Sequence, residues 1–332
     1  MKNLILTIFT TLSFYAQAQM AQQVLNPVVT VSDLDKVLPF YTKILPFELV
    51  GIRTVNHNTL AKVFNITNPL TTARIATLKL GDESFELMDF IEPENGAKIP
   101  SDSRSNDLWF QHIAIVVNDM DAAYKILRDN QVPHVSSSPQ TLPNYITAAA
   151  GIKAFYFQDP DGHNLEIIYF PKDKGNPKWQ KPTPKVFLGI DHTAIGSDLT
   201  ATSLAFYKNI LGLKIAGASE NYGSEQEHLN QVFGAHLQIT GLTTGQGIGV
   251  ELLDYIAPLG GRQFPSTAKA NDLLHWHTII QVNDLAALYE RLIDNGYAIV
   301  SQGIVPLSNL GMKATKGLVV KDPDGHALLL CE

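Results

Sequence analysis

The most informative segment of this 332-residue chain is Phe155–Phe170, FYFQDPDGHNLEIIYF. Its two apolar runs flank Asp-Pro-Asp-Gly, where proline presets one turn dihedral and glycine accepts a positive one, so the segment predicts a β-hairpin. Side chains alternate along the second strand, which places Glu166 on one face with Ile168 and Phe170. A carboxylate on an apolar face is costly unless it meets a cation or a metal.

The same hairpin returns near the end of the chain. Leu318–Leu330 reads LVVKDPDGHALLL, with Leu329 where the first copy has Glu166. Asn-Asp-Leu begins six residues before a strand histidine at His112 and again at His277. These offsets indicate duplication of a two-module unit, so the chain contains four modules of a strand, a helix and several strands.

The sequence also predicts a helix, two structural turns and a polar segment that connects strands. Apolar side chains recur on one face of a predicted helix in the first module, at Leu34, Val37, Leu38, Tyr41 and Leu45. His163 and His326, which follow the two Asp-Pro-Asp-Gly turns, are predicted to be structural turn residues. The polar stretch ENYGSEQEHLN, residues 220–230, is predicted to be either a lid or substrate loop or a solvated loop.

Composition narrows the functional classes. An apolar fraction of 45% and a charged fraction of 17% are typical of a globular protein. A net charge of −7 without a basic cluster gives no reason to expect nucleic acid or an anionic membrane as partner. The only cysteine is Cys331, which excludes an intramolecular disulfide and a cysteine metal site.

The first residues predict export. Lys2 precedes an apolar run from Leu4 to Tyr15, followed by Ala-Gln-Ala ending at Ala18. The run is too short to span a bilayer and ends in a cleavage signal, so residues 1–18 are predicted to be a signal peptide. We therefore expect a periplasmic or secreted protein with no membrane contact after cleavage.

The repeated module resembles the vicinal oxygen chelate superfamily. The resemblance rests on HIAI at His112, HTAI at His192 and the DPDGH hairpin followed by Leu-Glu-Ile. This superfamily includes glyoxalase I, extradiol dioxygenases, fosfomycin-resistance enzymes, methylmalonyl-CoA epimerase and metal-free bleomycin-binding proteins. The resemblance implies an α+β fold in which four βαβββ modules form two cupped, barrel-like mixed sheets. It places one domain at 25–171 and a second at 187–332, joined by a linker at 172–186 that is rich in proline and lysine.

In this family each module offers one ligand position on its first strand and one on its last. The matching first-strand positions are Asn26, His112, His192 and His277, and the last-strand positions are Glu86, Glu166, Glu251 and Leu329. The resemblance therefore implies one divalent transition metal (Zn, Mn, Fe, Ni or Co), no nucleotide cofactor, and candidate ligands at His112, Glu166, His192, Glu251, His277 and Glu86.

The pairing of modules decides which residues share a metal. If modules 2 and 3 pair, the set is complete, as in glyoxalase I: His112, Glu166, His192 and Glu251. If modules pair within each half, the sets are His112, Glu86 and Glu166 in one half and His192, His277 and Glu251 in the other. The last set resembles a non-heme iron site, but extradiol enzymes take their carboxylate from the fourth module, where this chain has Leu329. The complete set is favoured.

The resemblance implies three functions. The first is a metal-dependent lyase or isomerase acting on a small oxygen-rich molecule, with Glu166 or Glu251 as general base. The second is an extradiol-type ring-cleaving dioxygenase, and the third is a binding protein for a small molecule. Arg74, His236 and Tyr222 are candidate substrate contacts, and a monomer or a homodimer is expected.

Overall fold

The structure, a computed structural model, describes residues 20–91, 96–259 and 261–332. The predicted signal peptide lies outside these residues. The predicted α+β fold is confirmed: the described residues form two curled eight-stranded sheets, one of them a half-barrel, with few helices. No helix in the described part of the chain is long and apolar enough to cross a membrane.

The first half of the chain contains modules 1 and 2. Module 1 consists of β1 (Ala21–Val31), α1 (Leu34–Pro39) with a π-helical continuation (Phe40–Ile44), β2 (Glu48–Val55), α2 (His57–Phe64), β3 (Thr72–Leu80) and β4 (Glu83–Ile91). Module 2 consists of β5 (Gln111–Val117), α3 (Met120–Asp129), β6 (Gln140–Thr141), β7 (Lys153–Gln158) and β8 (Asn164–Tyr169).

The second half repeats this order. A 3₁₀ turn (Pro177–Gln180) precedes module 3, which consists of β9 (Phe187–Ser197), α4 (Thr200–Leu204) with a π-helical continuation (Ala205–Ile210), β10 (Lys214–Tyr222), α5 (Ser224–Asn230), β11 (His236–Thr243) and β12 (Gly249–Ala257). Module 4 consists of β13 (Trp276–Val282), α6 (Leu285–Asp294), β14 (Val305–Pro306), a 3₁₀ turn (Ser308–Leu310), β15 (Lys316–Lys321) and β16 (Ala327–Cys331).

Two local differences from the sequence predictions have physical reasons. The helix predicted on the periodicity that begins at Leu34 is capped by the Asp33 side chain, and it changes to a π-helical turn after Pro39. Proline cannot donate the next backbone hydrogen bond, which is a common cause of such a change. The stretch 220–230, predicted to be a loop, instead forms the end of β10 and then α5.

The sheets combine the halves crosswise. One sheet has the order β14-β15-β16-β13-β1-β4-β3-β2, from modules 4 and 1, and the other has β10-β11-β12-β9-β5-β8-β7-β6, from modules 3 and 2. The seams are the antiparallel pairs β1–β13 and β5–β9. The favoured pairing of modules 2 and 3 is thus the one observed. We call the two concave faces the 1/4 cup and the 2/3 cup.

Alternation along the strands divides the buried residues. One core cluster contains side chains from all four modules together with α1, α3 and α6, and it includes Ile113, Ile115 and Leu165. The intervening residues face the cups, where two smaller clusters lie. Helix α5, which follows the edge strand β10, contacts the opposite edge of the 2/3 sheet near β7. There Ser136 Oγ donates a 2.7 Å hydrogen bond to the carbonyl of Leu229 in α5.

The two Asp-Pro-Asp-Gly hairpins brace the two modules of each half against each other, as expected of structural turns. Gly162 has the positive φ of 89° that the turn requires. Tyr41 donates a 3.0 Å hydrogen bond to Asp159, and Tyr207 donates a 2.9 Å bond to Asp322. Each brace therefore ties a helix of one module to the hairpin of the next.

The first brace contains a buried charged histidine. His163 Nδ1 lies 2.9 Å from Asp159 Oδ2, and Nε2 lies 2.9 Å from the Leu273 carbonyl oxygen. Both partners are acceptors, so both ring nitrogens donate and the imidazole is protonated. Burial alone would lower the pKa of His163, but Asp159 raises it above the ordinary 6.5. Burial alone would raise the pKa of Asp159, and His163 lowers it below 3.8.

This pair predicts how stability depends on pH. The contribution of His163 is complete below pH 6.5 and is lost as pH rises through its higher folded-state pKa, while the contribution of Asp159 is lost only at acid pH. We expect the free energy of unfolding of the native chain to fall between pH 6 and 9 relative to that of a His163→Gln variant, as measured by urea denaturation at several pH values. Parallel pH profiles for the two proteins would contradict the assignment.

Candidate metal centre

Four predicted ligands come from four neighbouring strands of the 2/3 sheet. In the order β12-β9-β5-β8, these strands carry Glu251, His192, His112 and Glu166. His112 lies opposite Ala194 and His192 opposite Ala114 across the seam, while Glu251 and Glu166 pair beside the same two alanines. Because cross-strand partners share a face, all four side chains point into the 2/3 cup, with only small side chains between them.

The ligand atoms converge. One ligand atom each from His112, Glu166 and His192 lies within 4.8 Å of the other two, and all three residues are buried. Glu166 Oε2 is 3.1 Å from His112 Nε2 and 3.7 Å from His192 Nε2. Glu251 Oε2 is 3.5 Å from His192 Nε2. The arrangement gives two imidazoles flanked by two carboxylates.

The hydrogen bonds of the imidazoles test whether a metal fits. Both ring nitrogens of His112 and Nε2 of His192 are buried and have no hydrogen-bond partner among the described residues. The 3.1 Å approach of Glu166 to His112 is therefore not in hydrogen-bonding geometry. Buried polar nitrogens without partners are costly, and imidazole with carboxylate suits Zn, Mn, Fe, Co or Ni. The cluster of His112, Glu166 and His192, with Glu251 beside His192, fits a divalent transition metal.

The surroundings favour positive charge. Burial opposes protonation of His192, but Glu251 and Asp191 raise its pKa well above the ordinary value. Burial opposes ionisation of Glu251, but His192 and His112 lower its pKa. A site that holds carboxylates ionised while buried stabilises a cation, because an uncompensated buried anion is expensive.

Asp191 orients His192, and it does so through a β-bulge. The β5–β9 register passes from Ala114 opposite His192 to Ile115 opposite Ile190, which leaves Asp191 as the extra residue. Its Oδ2 lies 3.1 Å from His192 Nδ1, and Trp179 Nε1 donates a 2.6 Å bond to Oδ1. Nε2 of His192 is thereby directed toward the two glutamates, and a residue of the predicted linker supports the site.

Replacement of Asp191 by leucine is expected to lower metal affinity about 10- to 100-fold, because the carboxylate fixes the tautomer and orientation of His192. The 1/4 sheet supplies the matched residue, since its equivalent bulge carries Leu25. Competition with a chromophoric chelator would measure the change, with Trp179→Phe expected to give a smaller loss. An unchanged affinity in Asp191→Leu would contradict this role.

The remaining predicted ligands lie in the 1/4 cup. Strand register places Asn26, His277, Glu86 and Leu329 in positions equivalent to the four residues above. Glu86 accepts a bidentate ion pair from Arg53, at 2.9 and 2.8 Å, and a 2.7 Å bond from Thr77. The guanidinium of Arg53 therefore compensates the charge of the Glu86 carboxylate. The structure does not bring Glu86 to His112 and Glu166.

His277 also has its own partners in the 1/4 cup. His275 Nε2 lies 3.2 Å from His277 Nδ1, and the His277 ring lies 5.1 Å from that of Phe64. Burial lowers the pKa of His275 to about 3, and burial with His275 and Arg53 lowers that of His277 well below its ordinary value. The iron-like set of His192, His277 and Glu251 is not assembled, because His277 belongs to the other sheet.

The three predicted substrate contacts are dispersed. Arg74 pairs with Asp35 at 3.0 Å and with Asp89 at 2.8 Å, within module 1. Tyr222 lies between Tyr145 and His236, with ring centroids 5.2 Å from each. Tyr222 and His236 are partners across β10–β11 in module 3, and His236 bonds Glu220 at 2.6 Å. The structure does not place any of the three in the cluster of His112, Glu166 and His192.

Several cup residues were not predicted. Tyr156 is the cross-strand partner of Glu166, and its ring lies 4.8 Å from that of His112. Tyr255 shares a strand face with Glu251, and Asn230 donates a 2.6 Å hydrogen bond to its hydroxyl. Both tyrosines can be identified from the sequence. Tyr255 lies four positions after Glu251 on the same strand, and Tyr156 lies opposite Glu166 across the hairpin of β7 and β8.

The comparisons with known proteins agree with this architecture. A 2-epi-5-epi-valiolone epimerase from Actinomyces sp. is 32% identical over 145 residues, which cover 43% of this chain and 76% of that protein. Glyoxalase I from Zea mays superposes with a TM-score of 0.59 at 19% identity, covering 93% of this chain and 92% of that chain. A putative dioxygenase from Bacillus subtilis subsp. subtilis str. 168 gives 0.57 at 15% identity, covering 95% and 86%.

The two structural similarities concern the fold alone, because both identities are low. The family profile is more informative, since it matches residues 23–167 and 189–330, one stretch in each half of the chain. The predicted resemblance is confirmed, and the chain belongs to the Glyoxalase/Bleomycin resistance protein/Dioxygenase superfamily.

Proposed function

We propose that the chain is a divalent-metal-dependent isomerase or lyase that moves a proton at a carbon next to a carbonyl in a small oxygen-rich substrate. One observation carries the proposal: both ring nitrogens of His112 and Nε2 of His192, which are buried without a hydrogen-bond partner among the residues that the structure describes, converge with Glu166, and Glu251 adjoins them. A bound divalent metal would act as a Lewis acid toward two neighbouring substrate oxygens. We propose Zn, Mn, Fe, Co or Ni as the metal.

The two glutamates have different surroundings. The Glu251 side chain is 25% exposed and faces the open part of the cup, whereas that of Glu166 is 6% exposed and lies against both histidines. His192 and His112 keep Glu251 ionised against the effect of burial. We therefore assign Glu251 as the base that accepts the proton.

The order of the strands favours an isomerase over a lyase. Glu251 on β12 and Glu166 on β8 lie outside the two histidines, on opposite sides. A carboxylate on each side of the reacting carbon allows a proton to be removed from one face and returned to the other, which inverts that carbon. The similarity of part of the chain to a protein named as an epimerase supports this choice.

The test is metal-dependent proton exchange. The metal-reconstituted protein would be incubated in D₂O with an inosose, a cyclic polyhydroxy ketone, and separately with the hemithioacetal of methylglyoxal and glutathione. We expect deuterium to enter the carbon next to the carbonyl of at least one of them, as followed by NMR. The rate should fall roughly 10²- to 10⁴-fold in Glu251→Gln, the range for loss of a general base.

Other results would overturn the proposal in favour of an alternative. Oxygen consumption with catechols, without proton exchange, would indicate a ring-cleaving dioxygenase. Tight binding of an aromatic small molecule that survives chelation of all metal, again without exchange, would indicate a binding protein.

We also propose that the protein is exported. The charged residue, short apolar run and Ala-x-Ala site of residues 1–18 support this. Expression of the full chain followed by N-terminal sequencing is expected to find mature protein beginning at Gln19 outside the cytoplasm. Retention of Met1 in the cytoplasmic fraction would contradict export.

A further inference from the structure

A chain of uncharged polar side chains lines part of the 2/3 cup. Asn221, Gln226 and Asn230 are each at least 97% buried. Asn221 Nδ2 donates a 3.1 Å bond to Gln226 Oε1, Gln226 Nε2 donates to Asn230 Oδ1, and Asn230 Nδ2 donates a 2.6 Å bond to the Tyr255 hydroxyl. We call these four residues the amide chain.

The amide chain lies on the same concave surface as the candidate metal centre. Asn221 pairs with Leu237 across β10–β11, and Leu237 pairs with Tyr255 across β11–β12. Leu237 belongs to the cluster that contains Phe110 and Tyr156, beside His112. Cross-strand partners share a face, so the amide chain and the candidate metal centre form adjacent parts of one wall.

Tyr156 links the two parts. Tyr156 is the cross-strand partner of Glu166, its ring lies 4.8 Å from that of His112, and it belongs to the cluster against which Tyr255 packs. Tyr255 is four residues beyond Glu251 on the same strand, or about 13 Å of backbone. A ligand that reaches from the glutamates toward Tyr255 therefore contacts both the candidate metal centre and the amide chain.

The 1/4 cup shows that the fold does not require these amides. α2 and α5 both end at a left-handed residue, Asn65 and Gln231. Counting back from these caps by one, five and ten positions matches Asn230, Gln226 and Asn221 to Phe64, Leu60 and Val55. The three equivalents are buried in an apolar cluster of the 1/4 cup.

The amide chain also retains hydrogen-bonding capacity. Asn221 Oδ1 is buried without a partner in the described part of the chain. The Tyr255 hydroxyl accepts from Asn230, which leaves its own proton to donate. Buried polar groups without partners are destabilising, so the unused hydrogen-bonding capacity of the amide chain indicates a ligand that completes it.

We infer that the amide chain binds the hydroxyl groups of an uncharged, polyhydroxylated substrate, such as a sugar or cyclitol, whose two vicinal oxygens face the candidate metal centre. A hydroxyl both donates and accepts, which matches amides and a phenol, whereas a phosphate or carboxylate would require a cation that these four residues lack. The inference rests on the proposed function, because the vicinal oxygens are assigned to the same cup.

The test compares two probes on the metal-loaded protein by isothermal titration calorimetry. An inosose carries a ketone beside a hydroxyl and several further hydroxyls, whereas tropolone carries the vicinal oxygens alone. We expect the double variant Asn221→Val with Gln226→Leu, which copies the 1/4 cup, to bind the inosose at least 10-fold more weakly and tropolone within twofold. Tyr255→Phe, the smallest change, should lower the affinity for the inosose roughly 5-fold.

A control and four outcomes separate this inference from the proposed function. Tyr289→Phe, in module 4, should leave both affinities unchanged. Equal losses for the two probes in the variants, or no loss for the inosose, would overturn the inference. Tropolone binding to the native protein without measurable inosose binding would also overturn it, while leaving metal chemistry intact. Failure of the native protein to hold metal would instead overturn the proposed function.

Discussion

Replacement of His112 by alanine is expected to abolish tight metal binding, with a loss of affinity greater than about 100-fold. The imidazole is fully buried in the centre of the cluster, where neither ring nitrogen has a hydrogen-bond partner among the described residues. Its removal deletes a ligand outright, and this costs more than the 10- to 100-fold typical of removing a group that only supports a ligand. Elemental analysis by mass spectrometry after dialysis would measure metal per chain.

The control for this experiment is His277→Ala. His277 occupies the equivalent strand position in the 1/4 cup, where it contacts His275 and Phe64. The native chain should hold one tight metal ion, and His277→Ala should hold one as well. Two tight ions per chain, or loss of metal in His277→Ala, would show that the 1/4 cup also binds metal.

Arg53→Met is expected to destabilise the protein by about 3 kcal/mol. The guanidinium binds Glu86 through two hydrogen bonds, and the Glu86 side chain is 11% exposed. Removal of one partner leaves a buried carboxylate uncompensated, which typically costs about 3 to 5 kcal/mol. Methionine keeps the length and apolar character of the side chain, so lost packing contributes little. The free energy of unfolding from urea denaturation is the measurement.

A double variant separates the charge from the packing. Arg53→Met combined with Glu86→Leu removes both charges, and we expect it to recover most of the lost stability, because a well-packed apolar replacement of a buried ion pair is often neutral or stabilising. Metal content should be unchanged in both variants, since Arg53 and Glu86 lie in the 1/4 cup. Equal stability of the single and double variants would show that the buried charge is not the cause.

The repeat, with the family resemblance that it carries, made the fold and four candidate ligand positions predictable. A hairpin with a fixed turn and a strand alternation defines which face a residue occupies, and duplication carries this register to every module. Together with the ligand positions that the family resemblance implies, this register identified Glu166, His112, His192 and Glu251 as candidates before their distances were known. Module pairing was less certain from sequence, because each half offered ligands of the right type, and the strand order resolves it.

Contacts that depend on tertiary structure were not predictable. The cation of Glu86 comes from β2, which carries no distinguishing pattern, and the support of His192 comes from a bulge residue and from Trp179 in a segment with linker composition. The amides at 221–230 read as a polar loop, because a buried polar helix has the same composition as a solvated one. Their burial follows only from the closure of the sheet edges by α5.

The crosswise pairing of modules has an evolutionary consequence. Half-chains with this pairing would assemble as a symmetric dimer, in which every mutation enters both cups at once and neither can change alone. Joining the halves in one chain removes that symmetry constraint. One cup is then free to become filled by Leu60, Phe64 and an internal ion pair, while the other keeps its imidazoles. Gene fusion thus allows stability and chemistry to be selected separately within one molecule.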